Sequence, residues 1–192
     1  RHPYKDETGQ ILFYTLRLMD KNTAKKLILP LSYGCYKGNE TSPRWSLKYY
    51  QTSNRPLYHL DLLLAQPHAT VLVVEGEKTA DAANEIFAGE KIIAVSWMGG
   101  CSAVNKTDWT PLMLRELIIW PDNDLAGFQA SDAIVCTMRR LGVHSLKVVN
   151  QELLQREFTA KWDLADPLPP HRSTQDLRDL LFNATDQAVG AA

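Results

Sequence analysis

Two apolar runs, Val71-Leu72-Val73-Val74 and Leu117-Ile118-Ile119-Trp120, each break off abruptly in carboxylates. Glu75-Gly76-Glu77 follows the first and Pro121-Asp122-Asn123-Asp124 the second. A run that is apolar at every residue, rather than at every other one, predicts a strand covered on both faces. From residue 71 onward, strands expected at 71–75, 91–96, 116–120 and 145–149 alternate with helices expected at 77–88, 109–114 and 125–141. That alternation predicts an α/β fold, a mainly parallel sheet with flanking helices. Sites in such a sheet gather at the carboxyl ends of the strands. Glu75, Asp122, Asp124 and the Gly99-Gly100 turn all stand there.

Carboxylates at the ends of neighbouring buried strands repel one another unless a positive charge joins them. Oxygen ligands with no His or Cys nearby favour Mg²⁺ or Mn²⁺ over zinc, and Mg²⁺ usually arrives with waters and phosphates. Phosphoryl transfer is the chemistry this implies. Asp122 and Asp124 are one residue apart, which in an extended segment turns both to one side. The alternative is that one of them only caps the helix starting near Leu125. Glu75, with Gly76 allowing a tight turn beside it, is placed to bind metal or to move a proton. Further on, Asp163 and Asp166 could supply a second metal position, or could serve as a turn cap and as the residue before Pro167. Gly76, Gly99 and Gly100 could present backbone N–H groups to a phosphate, with Lys78 and Lys106 near the same rim. Neither a GKS/GKT phosphate loop nor a GxGxxG fingerprint is present, which disfavours P-loop ATPases and ordinary dinucleotide enzymes.

Residues 1–68 are expected to form a β-rich, basic subdomain. Tyr4 to Gly9 and Asp20 to Thr23 supply turns, Ser32 to Asn54 reads as loops with a short strand around Trp45 to Tyr50, and Leu60 to Ala65 reads as a short helix. Residues 1 to 70 carry ten Lys/Arg against five Asp/Glu, so a chain of net charge -1 is +5 there and -6 beyond. A basic part joined to an acidic, metal-suited part fits a polyanion held against a metal site. Residues 69–168 are expected to be the catalytic domain, and 169–192 one amphipathic helix fading into a linker. The three cysteines are widely spaced and read as buried or incidental thiols. No membrane span or signal peptide is evident, so a cytoplasmic protein with no membrane partner is expected.

The pairing of strand-Glu75-Gly76 with strand-Asp122-Asn123-Asp124-Leu125-Ala126-Gly127 resembles the Toprim domain of bacterial-type and phage primases. Val73 to Ala82 and Trp120 to Gly127 look most like primases and primase-helicases of phages, plasmids and mobile elements. The resemblance covers about residues 70 to 167, and more loosely Tyr4 to Gly9, Trp45 and Arg55-Pro56-Leu57-Tyr58. It implies a Toprim-like sheet in which Glu75 acts in nucleotide polymerisation and Asp122 with Asp124 binds metal. Asp163 to Asp166 is similar to the family's later acidic motif, and Lys48 and Arg55 would hold template or nucleotide. Many bacterial primases carry an aspartate where this chain has Thr79, with Asp81 beyond it. The implied partners are single-stranded DNA, nucleoside triphosphates and a replicative helicase or helicase domain. With no Cys/His cluster for zinc and no helicase phosphate loop, the chain is expected to be the catalytic core of a longer protein or a stand-alone derivative. The alternatives are a Toprim nuclease or topoisomerase-like cleaving enzyme, and a non-catalytic module binding single-stranded nucleic acid.

Overall fold

The computed structural model describes residues 1–36, 39–48 and 54–187. Strands β1 (His2–Lys5), β2 (Ile11–Met19), β3 (Lys26–Tyr36) and β4 (Asn39–Ser46) form an antiparallel sheet in that order. The Asp6 carboxylate accepts from the N–H groups of Thr8 and Gln10, and that of Asp20 from Asn22 and Thr23, which sets the two expected turns. The β3–β4 hairpin replaces most of the loop expected over Ser32 to Asn54. Its strand ends at Ser46 rather than running from Trp45 to Tyr50, and Tyr49 and Tyr50 lie outside the described residues. Gly34 and Pro43 obscure the alternation in sequence. Across the strands, however, the rings of Tyr33 and Trp45 pack 5.3 Å apart and those of Tyr14 and Trp45 6.0 Å apart, pairs that stabilise a sheet.

After α1 (Leu60–Ala65) the chain alternates through β5 (Thr70–Val74), α2 (Glu77–Ile86), β6 (Ile92–Val95), β7 (Glu116–Trp120), α3 (Leu125–Leu141), β8 (Ser145–Val148), α4 (Gln151–Glu157), α5 (Thr174–Phe182) and β9 (Thr185–Asp186). The second sheet has the order β6-β5-β7-β8-β9, parallel except at β9. Val71, Val73, Leu117 and Ile119 point to one face, against Leu63, Ile134 and Met138. Leu72, Val74, Ile118 and Trp120 point to the other, against Ala80, Ala83, Leu154, Leu177 and Leu181. Burial on both faces is why these strands read as continuous apolar runs.

Three local expectations are corrected, and one helix is added. The helix expected at 109–114 is a single 3₁₀ turn, Thr110–Leu112, preceded by another at Cys101–Lys106. Helix α4 was not foreseen. The tail does not run on as one helix: α5 ends at Phe182, capped by Asn183, and the chain returns as β9 on the sheet edge, while residues 188–192 lie outside the described residues. Of the two readings of the cysteines, buried or incidental, the first is overturned: Cys35, Cys101 and Cys136 are exposed, each turned away from both cores. Among the described residues no helix is long and apolar enough to cross a membrane.

The two sheets are joined at α2. His2 Nδ1 lies 3.1 Å from Asp81 Oδ2, His59 Nε2 lies 3.1 Å from Asp81 Oδ1, and Tyr58 donates to Oδ1 at 2.9 Å. Nearby, Tyr4 donates to Glu77 at 2.9 Å. Burial alone would raise the Asp81 pKa, but the bonds from His2, His59 and Tyr58 outweigh it and hold the carboxyl well below its usual range. A depressed carboxyl contributes stability that is present above the unfolded-state value of 3.8 and lost as pH falls through the folded one. Asp81→Ala is therefore expected to melt lower than the parent at pH 7, with the gap closing below pH 3.8. Thermal melts across that range check it; a gap that persisted in acid would deny Asp81 this role.

Candidate active site

At the carboxyl edge of the parallel strands, Glu75, Gly76, Glu77, Thr79, Trp97, Gly99, Gly100, Asp122 and Asp163 line one cleft, closed on the other side by Arg17, Ile28 and Lys26. The cleft encloses about 340 Å³. Glu75 leaves β5 where Gly76, at φ 85, turns the chain into α2. Asp122 leaves β7 beside it, because β5 and β7 pair in register with Val74 opposite Trp120. Asp163 arrives from a loop after α4. Arg17 and Ile28 are cross-strand partners in the first sheet, and Lys26 lies two residues from Ile28 on the same face. The basic sheet thus extends its cations over the acidic strand ends.

The carboxylates disturb one another. Burial pushes the Glu75 carboxyl up and Asp124 adds to this, partly offset by a bond from the Cys101 N–H and by Lys26. Asp122 is pushed up to about 8, by burial first and then by Glu75, Asp163 and Asp124, with Lys26 opposing. A group of hard oxygen donors that holds a proton so tightly fits a divalent cation. Among the described residues no group of three or more His, Cys, Asp or Glu side chains stands close enough together to hold a metal ion. An open set of carboxylates suits Mg²⁺, which keeps waters and is completed by substrate phosphates rather than by protein alone.

The remaining residues singled out in the sequence separate. Asp124 caps α3: its Oδ1 accepts from the Gly127 N–H at 2.8 Å, so one of its oxygens serves the helix. Asp166 lies outside the cleft lining, accepting from the Asp163 N–H at 3.2 Å and standing 3.8 Å from Lys78 Nζ. Lys78 is thereby turned to Asp166, and neither Lys106 nor Lys48 lines the cleft. Arg55 lies behind the glycine turn, donating to the Met98 carbonyl at 3.2 Å. Gly99, at φ 103, has no room for a Cβ beside the Arg55 guanidinium, and a Cβ on Gly100 would stand 3.1 Å from Glu75 Oε1. Sequence reasoning missed Arg17 and Lys26, whose only signal was the basic surplus of the first 70 residues. It also gave no role to Gly127, whose added Cβ would fall 2.5 Å from the Asp122 carbonyl oxygen.

Solved structures share this fold. The chain resembles the DnaG primase catalytic domain bound to single-stranded DNA (TM-score 0.58, 18% identity, covering 96% of this chain and 51% of that one). It resembles the Escherichia coli primase catalytic core similarly (0.53, 17%, 96% and 51%). A third likeness is to a chain of the bacteriophage T7 assembly in which lagging-strand DNA polymerase interacts with primase domains of two gp4 subunits bound to an RNA/DNA hybrid and dTTP (0.56, 16%, 97% and 78%). The chain spans about half the length of the first two. No family model matches it, and no curated protein sequence matches it. At these identities the likeness establishes the fold, that of the Toprim primase catalytic cores.

Proposed function

We propose that this chain is the core of a primase-type nucleotidyltransferase that makes short primers on single-stranded DNA from nucleoside triphosphates. The observation that carries the reading is the single cleft that sets Arg17 and Lys26 against Glu75, Asp122 and Asp163. Cations on one wall suit a triphosphate, and crowded carboxylates on the other suit Mg²⁺ or Mn²⁺, held by Asp122 and Asp163 with Glu75 and the free oxygen of Asp124 at the margin. When bound, such an ion neutralises the triphosphate and the charge that develops as pyrophosphate leaves. Glu75, made more basic than an ordinary carboxylate by its burial, accepts the proton of the primer 3′-hydroxyl. The new bond joins that oxygen to the α-phosphorus while the bond to the β-phosphate oxygen breaks. Gly99 and Gly100 let substrate approach the backbone, with Arg55 bracing the turn from behind. Template strand and a helicase or helicase domain are the partners this reading implies.

The test is incubation of the parent and a Glu75→Gln, Asp122→Asn double variant with single-stranded DNA, labelled nucleotides and Mg²⁺ or Mn²⁺, read on a denaturing gel. Template-dependent products from the parent alone support the proposal. Metal-dependent loss of intact strand without products would favour a cleaving enzyme, and strand binding by both proteins with neither activity would favour a binding module.

Arg17→Ala and Lys26→Ala are each expected to raise the KM for nucleotide about tenfold while changing kcat less, since a bond to a charged group contributes roughly 1.5–3 kcal/mol. Steady-state kinetics over a nucleotide series check this. A fall in kcat at unchanged KM would place both side chains away from the bound triphosphate.

A further inference from the structure

We propose that Asn123 is a positioning residue that locks the loop bearing Asp163 onto the turn bearing Asp122. The inference rests on reading the cleft as a divalent-metal site. Asn123 is 4% exposed, and its Nδ2 faces the carbonyls of Thr159, Phe158 and Leu154 at 2.9, 3.0 and 3.2 Å. The amide orientation is fixed, because the opposite one would set Oδ1 against three carbonyl oxygens. Its backbone grips the same loop: the Asn123 carbonyl accepts from the Lys161 N–H at 2.9 Å and its N–H donates to the Trp162 carbonyl at 3.4 Å. Between those contacts Lys161 is held at φ 67, in the left-handed region that a side chain adopts only under constraint. Asp163 follows directly after Trp162.

Aiming both side-chain hydrogens at the loop leaves Oδ1 buried without a partner, and a buried acceptor left unsatisfied is destabilising. A residue that merely filled this space would not incur that cost. The amide also supplies a donor to the carbonyl of Phe158, the residue that caps the C-terminus of α4. Asp122 and Asp163 stand 41 positions apart in the chain with no strand pairing between their own ends, and the bonds that Asn123 makes tie the two segments together. It sits between the two acids of the strand-end pair and acts on a third.

The probe is Mn²⁺ alone, with free ion counted by electron paramagnetic resonance. The proteins are the full chain, Asn123→Ala, Asn123→Ser, Asp163→Asn and the Asn123→Ala, Asp163→Asn double variant, with thermal melts alongside. Loss of a residue that orients a metal ligand weakens metal affinity about 10–100-fold. We expect that loss in Asn123→Ala, a smaller one in Asn123→Ser, which keeps one donor, and no further loss in the double variant beyond Asp163→Asn. Unchanged affinity in a folded Asn123→Ala, or additive losses, would reduce Asn123 to a helix cap and leave the metal site standing. Should Asn123→Ala not fold, Asn123→Ser paired with Asp163→Asn carries the same cycle. Parent affinity that is indifferent to Glu75→Gln and Asp122→Asn would overturn the metal reading of the cleft and this inference together.

Discussion

Asp122→Asn is expected to raise the melting temperature of the metal-free protein at pH 8 while abolishing its response to Mg²⁺. The folded chain displaces Asp122 from 3.8 to about 8, chiefly by burial and by the Glu75 and Asp163 carboxylates. Because the folded state binds that proton more tightly than the unfolded state, stability declines as pH rises from 3.8 towards 8. At roughly 1.36 kcal/mol per pH unit the ceiling is about 5 kcal/mol. The neighbouring carboxylates share it, so we expect about 2 kcal/mol, or ~4–8 °C in Tm. The advantage of the variant should vanish near pH 4. Mg²⁺ should raise the parent's Tm and leave the variant's almost unmoved, because a cation that binds the folded state relieves the same repulsion. In the same series Glu75→Gln is expected to cut nucleotide incorporation about 10²–10⁴-fold, the usual contribution of a positioned proton acceptor. Melts with and without Mg²⁺ between pH 4 and 8 decide the matter: a less stable Asp122→Asn at pH 8 would mean that this carboxylate is not under strain from its neighbours.

Gly127→Ala should be the most damaging single-methyl change near the cleft. The added Cβ would fall 2.5 Å from the Asp122 carbonyl oxygen and 2.9 Å from both its N and its Cβ. Two are backbone atoms and the third is a Cβ fixed to the backbone, so none can escape by a rotamer change, and either α3 lifts or Asp122 moves. Overpacking of this sort costs about 1–3 kcal/mol, and a displacement of a reacting group near 1 Å is worth about 10²-fold in rate. The cap is affected as well, because the Gly127 N–H is the one that Asp124 receives. Gly34→Ala is the control: nothing lies within 4 Å of its Cβ position, and both Tm and activity should match the parent. If Gly127→Ala retained full activity, the position of Asp122 would be less critical than the proposed chemistry requires.

The strands and their carboxylate ends were determined by the sequence alone. Val71 to Val74 and Leu117 to Trp120 are apolar at every position, and that signal lies within a few residues of each site, so it survives without knowledge of the rest of the chain. Glu75 and Asp122 at neighbouring strand ends follow from it once the sheet is parallel. Tertiary structure alone decided the finer assignments. The sequence left Asp163 and Asp166 equivalent; folding turns one to the cleft and the other to Lys78. It left Asp124 between cap and ligand; the Gly127 bond shows that one oxygen caps. Arg17 and Lys26 carry no local mark that separates them from the other basic residues before position 70, because what brings them to the cleft is the docking of the first sheet through His2 on Asp81 and Tyr4 on Glu77. The β3–β4 hairpin, α4 and β9 were hidden for the same reason: each is stabilised by partners distant in sequence, and a pattern read along the chain carries only what neighbours in the chain determine.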